Sequence, residues 1–289
     1  MKGYLVLVLT IGILLAGCYS EAPGPKNKIL FASILPLKYF ADKIVGNTWV
    51  VEVMVPPGVG PETYSPTPRQ MMMLAKAKGY LSIGYLGFEQ AWLENFRSTN
   101  LQMQLILTSI NINLIKEGEQ HRDHAHLQGV DPHIWSSPKT AVRIARNICD
   151  GMVKIDPENS DLFRKNLDLL LTEIQAVDST VTALLSGSSE KKFIIFHPAL
   201  GYFARDYGLE QLSIEFEGKV PSPRHLKTVI ETAKSENIKF IMIQKEFDME
   251  NAEIIAKETG STIVQIDPLD YNWSGQMISI AKKLSNRSN

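Results

Sequence analysis

The strongest constraint on the fold is a segment in the middle of the chain. "PENSDLFRKNLDLLLTEIQAVDSTVTALLSG", Pro157 to Gly187, has helical spacing throughout and no strand-like interruption. At 3.6 residues per turn it makes about eight turns. Pro157 suits a first turn and Gly187 a helix end. On either side, strand-like and helix-like patterns alternate. Before it, "ILFASI", "WVVEVMV", "YLSIG" and "MQLILT" read as strands, separated by "LKYFADKIVG", "SPTPRQMMMLAKAKG" and "FEQAWLENF", which read as helices. The amphipathic "PKTAVRIARNICDGMVKID" closes this half, with Ala141, Ile144, Ala145 and Ile148 on one face. After it, "KFIIF", "LEQLSIEF", "IKFIMIQ" and "STIVQID" alternate with "ALGYFARDYG", "SPRHLKTVIETAKSE", "DMENAEIIAKETG" and "NWSGQMISIAKKLS". Such alternation predicts an α/β fold with mainly parallel sheets flanked by helices. The expected architecture is two lobes, residues 29–156 and 188–289, joined by one long rigid helix over 157–187. The halves are alike in pattern only; no residue-level repeat links them.

The beginning of the chain has a different character. "MKGYLVLVLTIGILLAGC" places Lys2 before an apolar run that ends in small residues, the plan of a secretory signal peptide. The run is shorter than the ~20 apolar residues that span a bilayer. "LAGC" resembles the bacterial lipobox, which implies cleavage after residue 17 and lipid on Cys18. Residues 18–28 are then a polar, Pro/Gly-containing tether. The implied location is outside the cytoplasm, on the periplasmic or cell-surface face of a bacterial membrane, with the membrane contacted by the lipid anchor only. Cys149, left without a partner in an amphipathic helix, is expected to be a buried thiol. The net charge of −1 offers neither the basic excess of a nucleic-acid binder nor a polybasic membrane patch.

In open parallel sheets, ligands bind beyond the carboxyl ends of the strands. Four residues with metal-ligating side chains sit there. Glu62 follows the second strand, His133 lies in "VDPHIWSSP" after the fourth, His197 directly follows "KFIIF", and Asp267 directly follows "STIVQI". Each has an ordinary reading alone: a solvated loop acid, a histidine packed beside Trp135, a satisfied core histidine, a turn acid before proline. Together, two from each half, they offer the imidazole and carboxylate ligands of a divalent cation. Two carboxylates would also neutralise its charge in a cleft that excludes water.

From about Ile29 to Leu284 the chain resembles the zinc- and manganese-binding lipoproteins that deliver metal to ABC importers. The resemblance lies in "ASILPLKYFADKIVGNTWVVEVMVPPGVGPETYSPTP", "DPHIWSSP", "FHPALGYFARDYGLEQLSIE" and "IDPLD". It implies two lobes on a rigid helix and one ligand from each block: His133, His197, Asp267 and, where most members carry histidine, Glu62. It also implies a membrane permease as partner, a monomeric binding protein, and no enzymatic activity. His121, His124 and His126, ahead of the second block, match the histidine-rich loop of zinc-type relatives and read as a weak, exposed collector of metal. They favour zinc, as does the general order of divalent affinities; the two carboxylates keep manganese as the alternative. Two other readings stay open. A metallohydrolase could use the same residues, although HExxH, GxSxG and P-loop motifs are absent. A surface adhesin with an incidental metal is the third.

Overall fold

A computed structural model describes residues 28–116, 129–188, 191–215, 221–247 and 249–285. Each half builds a four-stranded, wholly parallel sheet. The first contains β1 (Ile29–Ala32), β2 (Val50–Val53), β3 (Gly79–Ser82) and β4 (Gln104–Leu107), in the order β2-β1-β3-β4. The second contains β5 (Lys192–Ile195), β6 (Glu210–Ser213), β7 (Phe240–Gln244) and β8 (Thr262–Ile266), in the order β6-β5-β7-β8. The two orders are the same, so the halves share a topology as well as a pattern. Burial explains the strand sequences. The inner strands β3 and β7 are buried at every position, whereas the edge strands β4 and β8 are half exposed. Continuous apolar runs are what a strand covered on both faces requires.

The crossover helices are α1 (Leu35–Val45), α2 (Pro68–Leu74) and α3 (Gly87–Thr99) in the first half, then α6 (Gly201–Tyr207), α7 (Pro223–Ser235) and α8 (Glu250–Thr259) in the second. The helix α2 is shorter than its pattern predicts. Its start is set by a capping box, in which Gln70 N–H donates to Thr67 Oγ1 and Thr67 N–H to Gln70 Oε1. Its end is set from outside: Asn100 Nδ2 donates to the carbonyls of Leu74, Ala75 and Ala77 at 3.1, 3.2 and 2.8 Å. With those carbonyls capped, the helix ends at Leu74, five residues before Gly79.

The central helix is α5 (Ser160–Leu185), entered through a single 3₁₀ turn at Pro157–Asn159. Phe163, Leu167, Leu170, Ile174, Val177, Val181 and Leu185 are buried at spacings of three or four, one helical stripe. That stripe packs on α1 and α4 (Pro138–Ile155) of the first half and on α9 (Trp273–Leu284), the last helix. Cys149 is fully buried on α4, and burial raises its thiol pKa. The halves therefore share a core. Phe40 of α1 lies 4.9 Å from the Trp273 ring, and Tyr39 meets Tyr271 and Trp273. Two indoles lock this seam: Trp135 Nε1 donates to Pro268 O at 2.9 Å, and Trp273 Nε1 donates to Trp135 O at 2.7 Å. A smaller core under α7 and α8 belongs to the second half alone. Among the described residues, no helix is long and apolar enough to cross a membrane.

Candidate metal centre

Three of the four expected ligands meet between the lobes. Glu62, His133 and His197 each offer one ligand atom, and these atoms all lie within 4.8 Å of one another. The two Nε2 atoms are 3.1 Å apart, and His197 Nε2 is 3.4 Å from Glu62 Oε1. Ligands on tetrahedral zinc at about 2.0–2.1 Å stand roughly 3.3 Å apart, so both separations suit a shared ion.

His133 is set by its own loop. The strand β4 leads into a segment pinned by Asn147 Nδ2 to Thr108 O and Ile110 O. Lys116 then bridges Val130, and Asp131 N–H donates to Ile115 O, closing the base of the loop. The Tyr202 hydroxyl, from α6 in the other lobe, accepts from Ile115 N–H and donates to Asp131 O. Asp131 Oδ1 accepts from both the backbone N–H of His133 and its Nδ1, at 2.9 and 2.8 Å. This contact needs Gly201, where a Cβ would lie 2.4 Å from Asp131 Oδ2. The 3₁₀ turn Ile134–Ser136 buries Trp135 directly behind the imidazole.

His197 follows β5 and is clamped by the end of β7. Its backbone N–H donates to Gln244 Oε1, and Gln244 Nε2 donates to its carbonyl. Phe247 stacks on its ring, with 5.5 Å between centroids and 20° between planes. Its Nδ1 meets the buried Glu215 Oε2 at 2.7 Å. Both imidazoles thus commit Nδ1–H to a carboxylate and turn Nε2 inward, the arrangement that fixes tautomer and raises basicity in metal-binding histidines. Two lone pairs 3.1 Å apart repel unless a proton or cation sits between them. Burial pulls the His197 pKa down, but the Glu215 hydrogen bond and the charges of Glu62, Glu215 and Asp131 prevail and raise it. Neither Asp131 nor Glu215 was among the sequence candidates.

Glu62 is placed by the amino end of α3. Phe88 N–H donates to Pro61 O at 3.2 Å, and Tyr64 packs edge-on to Phe88. Gly87 touches the Glu62 backbone: an added Cβ would lie 2.3 Å from its carbonyl oxygen and 3.3 Å from its Cα. Such a clash cannot be relieved by a side-chain rotation. Gly87→Ala is therefore expected to lower stability by about 1–3 kcal/mol, the usual cost of overpacking, in chemical denaturation. An unchanged midpoint would show that the loop carrying Glu62 yields freely.

Asp267 is not brought into the group. Its Oδ2 pairs with Lys245 Nζ at 3.0 Å, although the next residues, Pro268 and Leu269, line the cleft. Glu246 also lines it; burial raises its pKa, reinforced by the charges of Asp267 and Glu62. The cleft encloses about 330 Å3 including its open mouth, with Glu62 at the exposed side and the imidazoles at the buried side. Cys18, His121, His124 and His126 lie outside the described residues.

Fold and site together define a class: two-lobed α/β proteins whose interlobe cleft gathers imidazole and carboxylate side chains. The family model described as ZnuA, zinc-uptake complex component A, periplasmic, matches residues 30–285, and the chain belongs to that family. A crystal structure of ZnuA is 37% identical, covers 90% of this chain and 98% of its own, and superposes with a TM-score of 0.84. A putative metal-binding protein of Chlamydia muridarum is 28% identical over 283 residues, 97% of this chain and 98% of that one. The zinc-binding protein AdcA of Streptococcus pyogenes serotype M3 is 26% identical over 255 residues. These are 81% of this chain but only 49% of AdcA, so the chain spans about half the length of that relative.

Proposed function

We propose that this protein is an exported binding protein that captures zinc between its lobes and hands it to the membrane permease of an ABC importer. The observation that carries the reading is the pair of inward-turned Nε2 atoms, each backed by a carboxylate, with Glu62 Oε1 beside them. Membership of a zinc-uptake family supports the cargo and the partner. Glu62 stands at the open side, so an arriving ion meets its carboxylate first. The imidazoles behind it then displace the remaining water. Asp131 and Glu215 hold both rings in the ligating tautomer, so little reorganisation is needed. The shared core along α5 and the two indole bonds oppose a large closure of the lobes. Export, the lipid anchor at Cys18, action as a monomer and collection of metal by His121, His124 and His126 complete the proposal, as does the division into lobes 29–156 and 188–289 about the helix.

Manganese is the competing cargo, since Glu62 and Asp267 supply hard oxygen. A hydrolase is the competing activity, since three protein ligands and an open position are the pattern of catalytic zinc. We place the protein among carriers because Asp267 stands ready as a fourth ligand. Elemental analysis of the purified protein, with competitive titration of zinc against manganese, tests the cargo. Zinc-loaded protein that turned over ester or phosphate-ester substrates would contradict the carrier reading.

Glu62 separates this site from one with two imidazoles and water. Glu62→Ala should weaken zinc at least as much as the ~10–100-fold cost of losing a partner behind a ligand. Glu62→His should keep tight binding and move preference further toward zinc, because imidazole replaces oxygen. Competition with a chelator at fixed pH reads both; unchanged affinity in Glu62→Ala would remove Glu62 from the ligand set.

A further inference from the structure

The parallel register of the second sheet pairs Gln244 with Ile266, so the residues that follow, Lys245 and Asp267, leave adjacent strands side by side. Their ion pair of 3.0 Å is an outcome of that register. The carboxylate is largely withdrawn, at 17% exposure, while the lysine, at 53%, reaches solvent. Neither oxygen of Asp267 belongs to the cluster formed by Glu62, His133 and His197. Glu62 and Glu246 line the cleft, as do Pro268 and Leu269, the two residues that follow Asp267, and Lys245 supplies a positive charge to the Asp267 carboxylate beside them.

We infer that Lys245 is a positioning residue that sets metal affinity, by holding Asp267 out of the ligand cluster until an incoming cation takes the carboxylate from it. The inference rests on the reading of Glu62, His133 and His197 as a zinc site. The lysine end of the pair stands in solvent and is screened there, so the pair releases readily to a divalent ion. It is strong enough to compete: every zinc ion that recruits Asp267 must first break it. In the empty protein the same pair keeps a third negative charge from standing uncompensated beside Glu62 and Glu246. Lys245 thereby trades some affinity for an easily emptied site, as delivery to a partner requires.

The test is a double-mutant cycle on the full chain, with zinc affinity read by chelator competition at fixed pH. Lys245→Met should tighten zinc binding by up to about fivefold, the factor equivalent to ~1 kcal/mol. Asp267→Asn should weaken it. In the Asp267→Asn background, Lys245→Met should change affinity by less than about twofold, because the carboxylate it restrained is gone. Lys245→Arg, which keeps the charge, should rescue wild-type behaviour. Equal or weaker binding by Lys245→Met overturns the inference. So does an equal gain in both backgrounds, which would mean simple repulsion between the lysine and the ion. Failure of the wild-type protein itself to bind zinc is a separate result, and it overturns the reading of the site. Circular dichroism of each variant confirms folding, which a half-exposed lysine is not expected to affect.

Discussion

His197→Ala is expected to cost more zinc affinity than any other single change at the site, beyond the ~10–100-fold typical of losing a partner behind a ligand. The ring supplies the Nε2 atom nearest to both other ligands, 3.1 Å from His133 and 3.4 Å from Glu62. Its loss also leaves the buried Glu215 carboxylate without its hydrogen bond. Glu215→Gln keeps the ring and a hydrogen-bond acceptor, so its loss should stay within the ~10–100-fold range. Binding of zinc by His197→Ala to within tenfold of wild type would remove His197 from the site. The pH dependence has a defined sign. In the empty protein the His197 pKa lies above its ordinary value of 6.5. The stability it contributes is fully present below that ordinary value and is lost as pH rises through the raised one. Zinc takes the neutral ring and expels the proton. Apparent zinc affinity should therefore rise with pH across the same window, by about tenfold per unit for one proton released. His197→Ala should remove the share of that slope that His197 supplies, together with its share of the pH dependence of apo stability.

The strands were legible because inner positions of a parallel sheet are covered on both faces and must be apolar, as in "YLSIG" and "FIMIQ". The candidate ligands were legible for a related reason: His197 and Asp267 are polar residues immediately after such runs, where the chain turns into the cleft. The supporting shell was only partly readable. Asp131 precedes His133 by two residues, and an acid whose side chain accepts the N–H two residues on is a local motif open to sequence reasoning. Glu215 carries no such signal. It lies 18 residues from His197, and only the pairing of β5 with β6 brings it to Nδ1. The Lys245–Asp267 pair was hidden for the same reason, since it depends on the β7–β8 register. The end of α2 is not legible in its own pattern because its cap is donated by Asn100, 26 residues beyond Leu74. What sequence periodicity conveys is which face of an element is buried. It does not convey which neighbour the polar ends will meet.

Trp273→Ala is expected to be the most destabilising substitution in the described residues, at about 3–5 kcal/mol, the usual cost of deleting a buried indole. The side chain is fully buried where α9 meets α1, packed against Phe40 and Tyr39. Its Nε1 also satisfies Trp135 O, and Trp135 in turn satisfies Pro268 O. The chain of contacts therefore runs from the last helix, through the residue two after His133, to the residue after Asp267. Losing it should loosen two ligand blocks as well as the core. Trp273→Phe separates the two contributions. It keeps most of the apolar volume but leaves the Trp135 carbonyl without its donor, which should cost roughly 1–3 kcal/mol. Urea denaturation of the zinc-free variants reads both values, and zinc titration of Trp273→Phe reads the coupling to the site. If the indole bonds hold the blocks in register, Trp273→Phe should weaken zinc binding although the residue touches none of the ligands. A variant that lost stability while binding zinc as tightly as wild type would show that the seam supports the lobes without positioning the site.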